Sequence, residues 1–346
     1  MGHHEPESEE ITMAATTNPP VPSKPRPKPS VALVFGSGAA RGWAHIGVIH
    51  ELAEMGVKPD LVVGASVGAV VAGAYASGNL ERFEKWIRSL GRVDIIRLLD
   101  AKMTGGGFLQ GKSLMNAIGK QIGDPKIEEL DVPYACVATE LGSGRELWLR
   151  EGSLLDACRA SIALPGMFAP SRDYEDRLLV DGGLVNPVPV SLARAMGGEI
   201  VIAVNLNGDL IGRHFFVHET DEADDETSER ELAEIEEKDS VVAKWAARMK
   251  AGFGVRLDSY ISSLRKKESP DPGLFDVIAG SIDIMQDRIT RSRMAGEPPD
   301  ILITPKLSHI GLMDFDRAEE SIAEGREATK RRRHEIEALP KAARNG

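Results

Sequence analysis

Leu61-Val62-Val63-Gly64-Ala65-Ser66-Val67-Gly68-Ala69-Val70 holds the turn on which the fold depends. Three apolar residues, two of them β-branched, predict a short buried strand. Gly64 and Gly68 bracket a serine, and small residues then continue to about Ser77 as a helix. A strand that enters a helix through glycine, serine and glycine has to turn sharply, which pushes the serine oxygen outward. The helix N-terminus favours negative charge that develops beside it. Gly64-Ala65-Ser66-Val67-Gly68 is therefore a candidate nucleophile elbow with Ser66 as nucleophile; the plainer alternative is a serine capping a helix. Leu61 to Leu80 is also uncharged over twenty residues, the length of a membrane span. Gly64, Gly68, Gly73 and Gly78, with Ser66 and Ser77, leave too little large aliphatic surface for that, so strand, turn and helix are expected.

Upstream of the elbow, Val31 to Phe35 is an apolar strand feeding Gly36-Ser37-Gly38-Ala39-Ala40-Arg41-Gly42 and then a helix from about Trp43 to Met55. Small residues in such a loop expose consecutive backbone N–H groups, which can hold an oxyanion or a phosphate. A dinucleotide fingerprint fails, because Arg41 stands at its third glycine and the second strand ends in the elbow rather than in a ribose-binding acid. An oxyanion hole fits this loop better. Downstream, strands near Tyr134 to Thr139, Glu146 to Leu149, Leu178 to Val180 and Glu199 to Asn205 alternate with helical stretches. That alternation predicts an α/β layered sheet.

A serine nucleophile needs a base. The histidines after Ser66 fall in poor places: His214 and His218 beside an acidic run, His309 in a loop and His334 in the terminal helix, while His45 and His50 lie on the first helix. Leu178-Leu179-Val180-Asp181-Gly182-Gly183 instead delivers a carboxylate from an apolar strand into a glycine turn, at the strand end where open α/β sheets gather their working groups. A carboxylate is a weak base for a hydroxyl. Asp181 can serve only in direct hydrogen-bond contact with Ser66 and partly desolvated.

These three elements, in this order, resemble the patatin-like phospholipase family. Ser37 to Gly42 lies at that family's glycine-rich loop, with Ser37 and Ala39 in place of family glycines; Gly64 to Gly68 matches its GxSxG elbow, and Asp181-Gly182-Gly183 its Asp-Gly-Gly motif. Ala160-Ser161-Ile162-Ala163-Leu164-Pro165-Gly166-Met167-Phe168-Ala169-Pro170 and Leu184-Val185-Asn186-Pro187-Val188-Pro189-Val190 also look typical of bacterial members. The resemblance is specific over 31 to 205 and weaker to about 325. It implies a three-layer α/β/α sandwich and a Ser66–Asp181 dyad. It also implies an oxyanion hole in the 36–42 loop, formed by N–H groups of Gly38, Ala39, Ala40 and Arg41, and hydrolysis of acyl esters of phospholipids or lysophospholipids, with no cofactor and no metal.

Composition bounds the rest. Residues 1 to 30 carry seven prolines and few large apolar side chains, and are expected to be a flexible leader before one hydrolase domain over 31–346. The formal charge of −11 is concentrated between Glu219 and Asp239, where twelve acids and two bases leave −10. No broad basic face points to nucleic acid. The acidic run opens a mostly helical insertion, expected after residue 206 and spanning about 208–270, in which Val241, Trp245, Met249 and Phe253 recur at four-residue spacing among basic residues. A helix over the core is the simpler account; peripheral contact with a lipid surface is the alternative. Cys136 and Cys158 form no metal-like or CxxC spacing, and no signal peptide is visible, so a cytoplasmic home is expected, with the inner membrane surface as its extension. Oligomeric state is left open. Two rivals remain: Gly106-Gly107-Phe108-Leu109-Gln110-Gly111-Lys112-Ser113 fits a phosphate-loop pattern for nucleotide hydrolysis, and the same fold could serve a non-enzymatic regulator.

Overall fold

A computed structural model of the chain describes residues 29–98, 103–104, 108–109, 111–173, 175–209 and 274–340. The expected leader up to residue 28 and the insertion from 210 to 273, with its four-residue apolar spacing and His214 and His218, lie outside the described residues.

The core is a mixed sheet with strand order β10-β9-β1-β2-β5-β8-β7 and β6 also paired to β5. Its strands are β1 (Val31–Phe35), β2 (Leu61–Ala65), β5 (Tyr134–Glu140), β6 (Glu146–Leu149), β7 (Ser171–Arg172), β8 (Leu178–Asp181), β9 (Ile200–Val204) and β10 (Ile301–Ile303). From β10 to β5 every pair is parallel, whereas β6 and β8 run antiparallel to β5. Parallel strands are covered on both faces, so both faces must be apolar. Val31, Leu33 and Phe35 of β1 accordingly enter one core cluster and Ala32 and Val34 the other; Ile202 and Val204 of β9 divide from Val201 and Ala203 in the same way.

The first cluster is closed by α1 (Ala44–Glu54), α2 (Val67–Ala76) and α9 (Ala318–Lys330), the second by α7 (Val190–Ala195) with Met294 of α8 (Leu274–Gly296). This is the expected α/β/α sandwich. Helices α3 (Leu80–Arg88), α4 (Arg92–Leu98) and α5 (Lys112–Ile122) pack at the edge of the first layer, and α6 (Leu154–Ser161) sits against β5.

After α9 a short helix, α10 (Arg333–Glu337), carries His334. The basic run Lys330 to Arg333 is engaged in ion pairs to Glu327, Glu324, Glu335, Glu51 and Glu337. The phosphate-loop pattern fails its structural requirement. A phosphate loop springs from a sheet strand, but Phe108–Leu109 (β4) pairs antiparallel with Met103–Thr104 (β3) in a two-stranded ribbon apart from the main sheet. Lys112 opens α5 with an exposed side chain, and 105–107 and 110 lie outside the described residues.

Candidate active site

The register of β5 brings the two sequence candidates together. β2 runs parallel to β5 as far as Ala65 opposite Val137, and β8 runs antiparallel to it, with Asp181 opposite Ala138. The ends of β2 and β8 thus arrive at consecutive positions of one strand. Ser66 Oγ donates to Asp181 Oδ2 at 2.6 Å.

Ser66 stands at φ 57°, ψ −129°, a conformation that costs an L-residue about 1–3 kcal/mol. The turn is cramped enough that a Cβ on Gly64 would collide with the Gly68 backbone, and one on Gly68 with the carbonyl oxygen of Phe35. Those two glycines let α2 lie against the end of β1, which sets the elbow beside the 36–42 loop. The other motif glycines are also crowded: a Cβ on Gly36, Gly42, Gly182 or Gly183 would meet, respectively, Val204 O, Val67, Val137 O and Gln286. The Ser66 N–H donates to Ser161 Oγ at 2.9 Å, and that hydroxyl donates onward to Val137 O at 2.7 Å. Ser66 is the N-cap residue of α2, but its side chain makes no capping bond. The capping alternative is thereby replaced by the contact with Asp181.

Asp181 is buried, and each of its polar atoms has work. Oδ1 accepts from Gly183 N at 2.7 Å, the carbonyl accepts from Thr139 Oγ1 at 2.8 Å, and the amide donates to Ala163 O at 3.0 Å. Burial pushes the carboxyl up to about 6, more than the hydrogen bonds from Ser66 and Gly183 pull it back. Ser161 and Thr139 were not singled out by chemistry in the sequence. Ser161 stood in a recognisable motif, but only its position beside β5 gives its hydroxyl a task.

The loop expectation narrows. The Ala40 N–H donates to Leu312 O at 3.2 Å, and the Arg41 N–H to Gly38 O at 3.2 Å, so neither is left for an oxyanion. The Arg41 side chain is wholly buried: Nε also donates to Gly38 O at 3.1 Å, and Nη2 meets Asp283 Oδ1 of α8 at 2.9 Å. With the Gly38 carbonyl turned into Arg41, the planar trans peptide directs the Ala39 N–H the opposite way. Among the described residues the Gly38 and Ala39 N–H groups have no backbone acceptor. Ala39 has φ 47° and, with Ser66, lines an apolar cavity of about 100 Å³. Trp43, Phe83, Trp86 and Phe168 form much of its wall. Trp43 is fixed there by its Nε1–H to Phe315 O at 3.1 Å, by an edge contact with Phe83 and by a tilted ring contact with Phe315.

Among the described residues, the other histidines named above and both cysteines lie away from this contact. His45 is buried against Phe35 and bonded to Gly36 O, and burial lowers it to about 4; His50 pairs with Glu84 and His309 with Glu320. Cys136 and Cys158 are buried, unbridged thiols, the second pushed up to about 12 by burial. Among the described residues no helix is long and apolar enough to cross a membrane.

The family model for patatin-like phospholipase matches residues 33–194. An uncharacterised NTE family protein of Mycobacterium tuberculosis is 35% identical over 328 residues, covering 86% of this chain and 89% of the relative. The chain belongs to the patatin-like phospholipase family. Patatin-like phospholipase domain-containing protein 6 of Homo sapiens is 36% identical over 183 residues, which is 51% of this chain but 13% of that protein. Among solved structures, VipD from Legionella pneumophila aligns over 89% of this chain and 67% of its own, at 13% identity and a TM-score of 0.40. Family membership supports a lipase/esterase-type function. The patatin-like match contains the 36–42 loop, Ser66 and Asp181, and it ends before α8, whose Asp283 and Gln286 hold that loop from outside it.

Proposed function

We propose that this chain is a serine hydrolase that cleaves acyl esters of phospholipids or lysophospholipids through Ser66 and Asp181. The observation that carries the proposal is the 2.6 Å contact between Ser66 Oγ and the buried Asp181 carboxylate at the wall of an apolar cavity. Ser66 Oγ attacks the ester carbonyl as Asp181 takes its proton. The carbonyl electrons move to oxygen, which the Gly38 and Ala39 N–H groups receive. Collapse expels the alcohol, protonated by Asp181, and leaves the acyl chain on Ser66 and in the cavity. Asp181 then takes a proton from water, which attacks the acyl-enzyme, and Ser66 recovers its proton as the fatty acid departs. A base lifted to about 6 is matched to this work near neutral pH, ionised yet more basic than a solvated carboxylate.

A fluorophosphonate probe tests the nucleophile and a phospholipid and lysophospholipid panel tests the substrate. Wild type should label and release fatty acid, and Ser66→Ala should do neither. Asp181→Asn should lose roughly 10²- to 10⁴-fold in turnover. Undiminished labelling of Ser66→Ala would remove Ser66 from the mechanism.

A further inference from the structure

Helix α8 buries a row of polar side chains and exposes several large apolar ones. Asp283, Gln286, Asp287 and Thr290 are buried on its inner face, where Asp283 holds Arg41 and Gln286 Oε1 accepts from Ser37 Oγ and Asn207 Nδ2, both at 2.7 Å. Its outer face presents Val277, Ile278, Ile284 and Met285, exposed by 47, 39, 50 and 50%. Spacings of one, seven and eight residues put these four side chains on one stripe. A surface helix ordinarily turns such a stripe inward, but here the inner face, beside the buried Ile282, gives Asp283 and Gln286 to contacts that support the 36–42 loop.

Charge indicates what the outer stripe meets. Asp283 and Asp287 point inward, while Arg288, Arg291 and Arg293 are exposed beyond Ile284 and Met285. Arg291 pairs with Asp287 and Arg293 with Glu146, and Arg288 has no ion-pair partner among the described residues. A face that is apolar with a cationic end fits a lipid surface bearing negative headgroups, which takes up both components at once. A second copy of this chain fits it less well, because Asp283 and Asp287 are buried on the inner face and offer Arg288 no counter-charge across a two-fold contact.

We propose that the outer face of α8 rests on an anionic lipid surface, with Ile284 and Met285 entering the acyl boundary and Arg288 meeting the headgroups. The helix that braces the 36–42 loop from inside would then be the one that seats the protein on its substrate's phase.

Co-sedimentation with phosphatidylcholine vesicles, with and without phosphatidylglycerol, tests this docking apart from catalysis. The wild-type chain should bind the anionic vesicles. Ile284→Asp combined with Met285→Asp should weaken that binding at least ~10-fold, and Arg288→Gln alone roughly 5-fold. Circular dichroism and fluorophosphonate labelling in vesicle-free solution should be the same for the double variant and wild type, so that a failed docking surface and a failed hydrolase give different results. Equal vesicle binding by the double variant, or no binding by wild type, would overturn the proposal. Light scattering showing a wild-type dimer that the double variant dissolves would also overturn it, in favour of a second copy on this face.

Discussion

Ser66 and Ala39 line the same cavity, and both hold a positive φ that L-residues avoid, yet the molecule restrains them by different means. Ser66 is braced by the sheet: its N–H reaches β5 through Ser161, and its side chain meets Asp181, whose register is set by the same strand. Ala39 is braced from far along the chain, because the peptides around it are fixed by Leu312 O and by Arg41, which is in turn held by Asp283, 242 residues away. The elbow is thus part of the sheet, whereas the loop depends on a helix added after it. A loop short of glycines can keep its shape when long-range bonds fix each neighbouring peptide.

The sharpest way to break the comparison is Asp283→Ala. It strands the buried Arg41 guanidinium and should cost about 3–5 kcal/mol of stability, read as a lower urea midpoint, with the labelling rate of Ser66 falling as well. If midpoint and labelling rate both stay at wild-type values, α8 does not support the loop. Asp181→Asn should move stability the other way. A carboxyl whose folded value is raised to about 6 stabilises the fold while protonated, and that contribution is lost as pH rises from about 4 through about 6. The loss is about 3 kcal/mol at 1.36 kcal/mol per unit. The asparagine variant escapes it, so its advantage over wild type should grow between pH 4 and pH 7, while wild-type kcat/KM climbs through about 6. A constant difference between the two urea curves across that range would refute the burial account of Asp181. The smallest change expected is from Ser161→Ala, which leaves the Ser66 N–H without its acceptor at a cost of about 1–3 kcal/mol. Because Ser161 positions the elbow, the variant should lower kcat more than it raises KM. A rise in KM with kcat intact would assign Ser161 to substrate binding instead.

By itself the sequence determined the layered α/β sheet, the elbow and the turn that carries Asp181. Each rests on local chemistry: apolar runs bounded by glycine, and two reactive side chains at strand ends. Strand bounds were legible to within a residue or two at β1, β2, β5, β8 and β9, where burial demands apolar runs, and also at the only partly buried β6. Only the tertiary structure decided which N–H groups of the 36–42 loop are taken up by other backbone groups, since that depends on where Leu312 and Asp283 arrive. The same holds for Ser161 and Thr139, ordinary hydroxyl residues in the sequence that gain partners because β2 and β8 both end against β5. The buried polar row of α8 was equally hidden, because a helix pattern gives the period of its apolar residues but not which side the rest of the chain will cover.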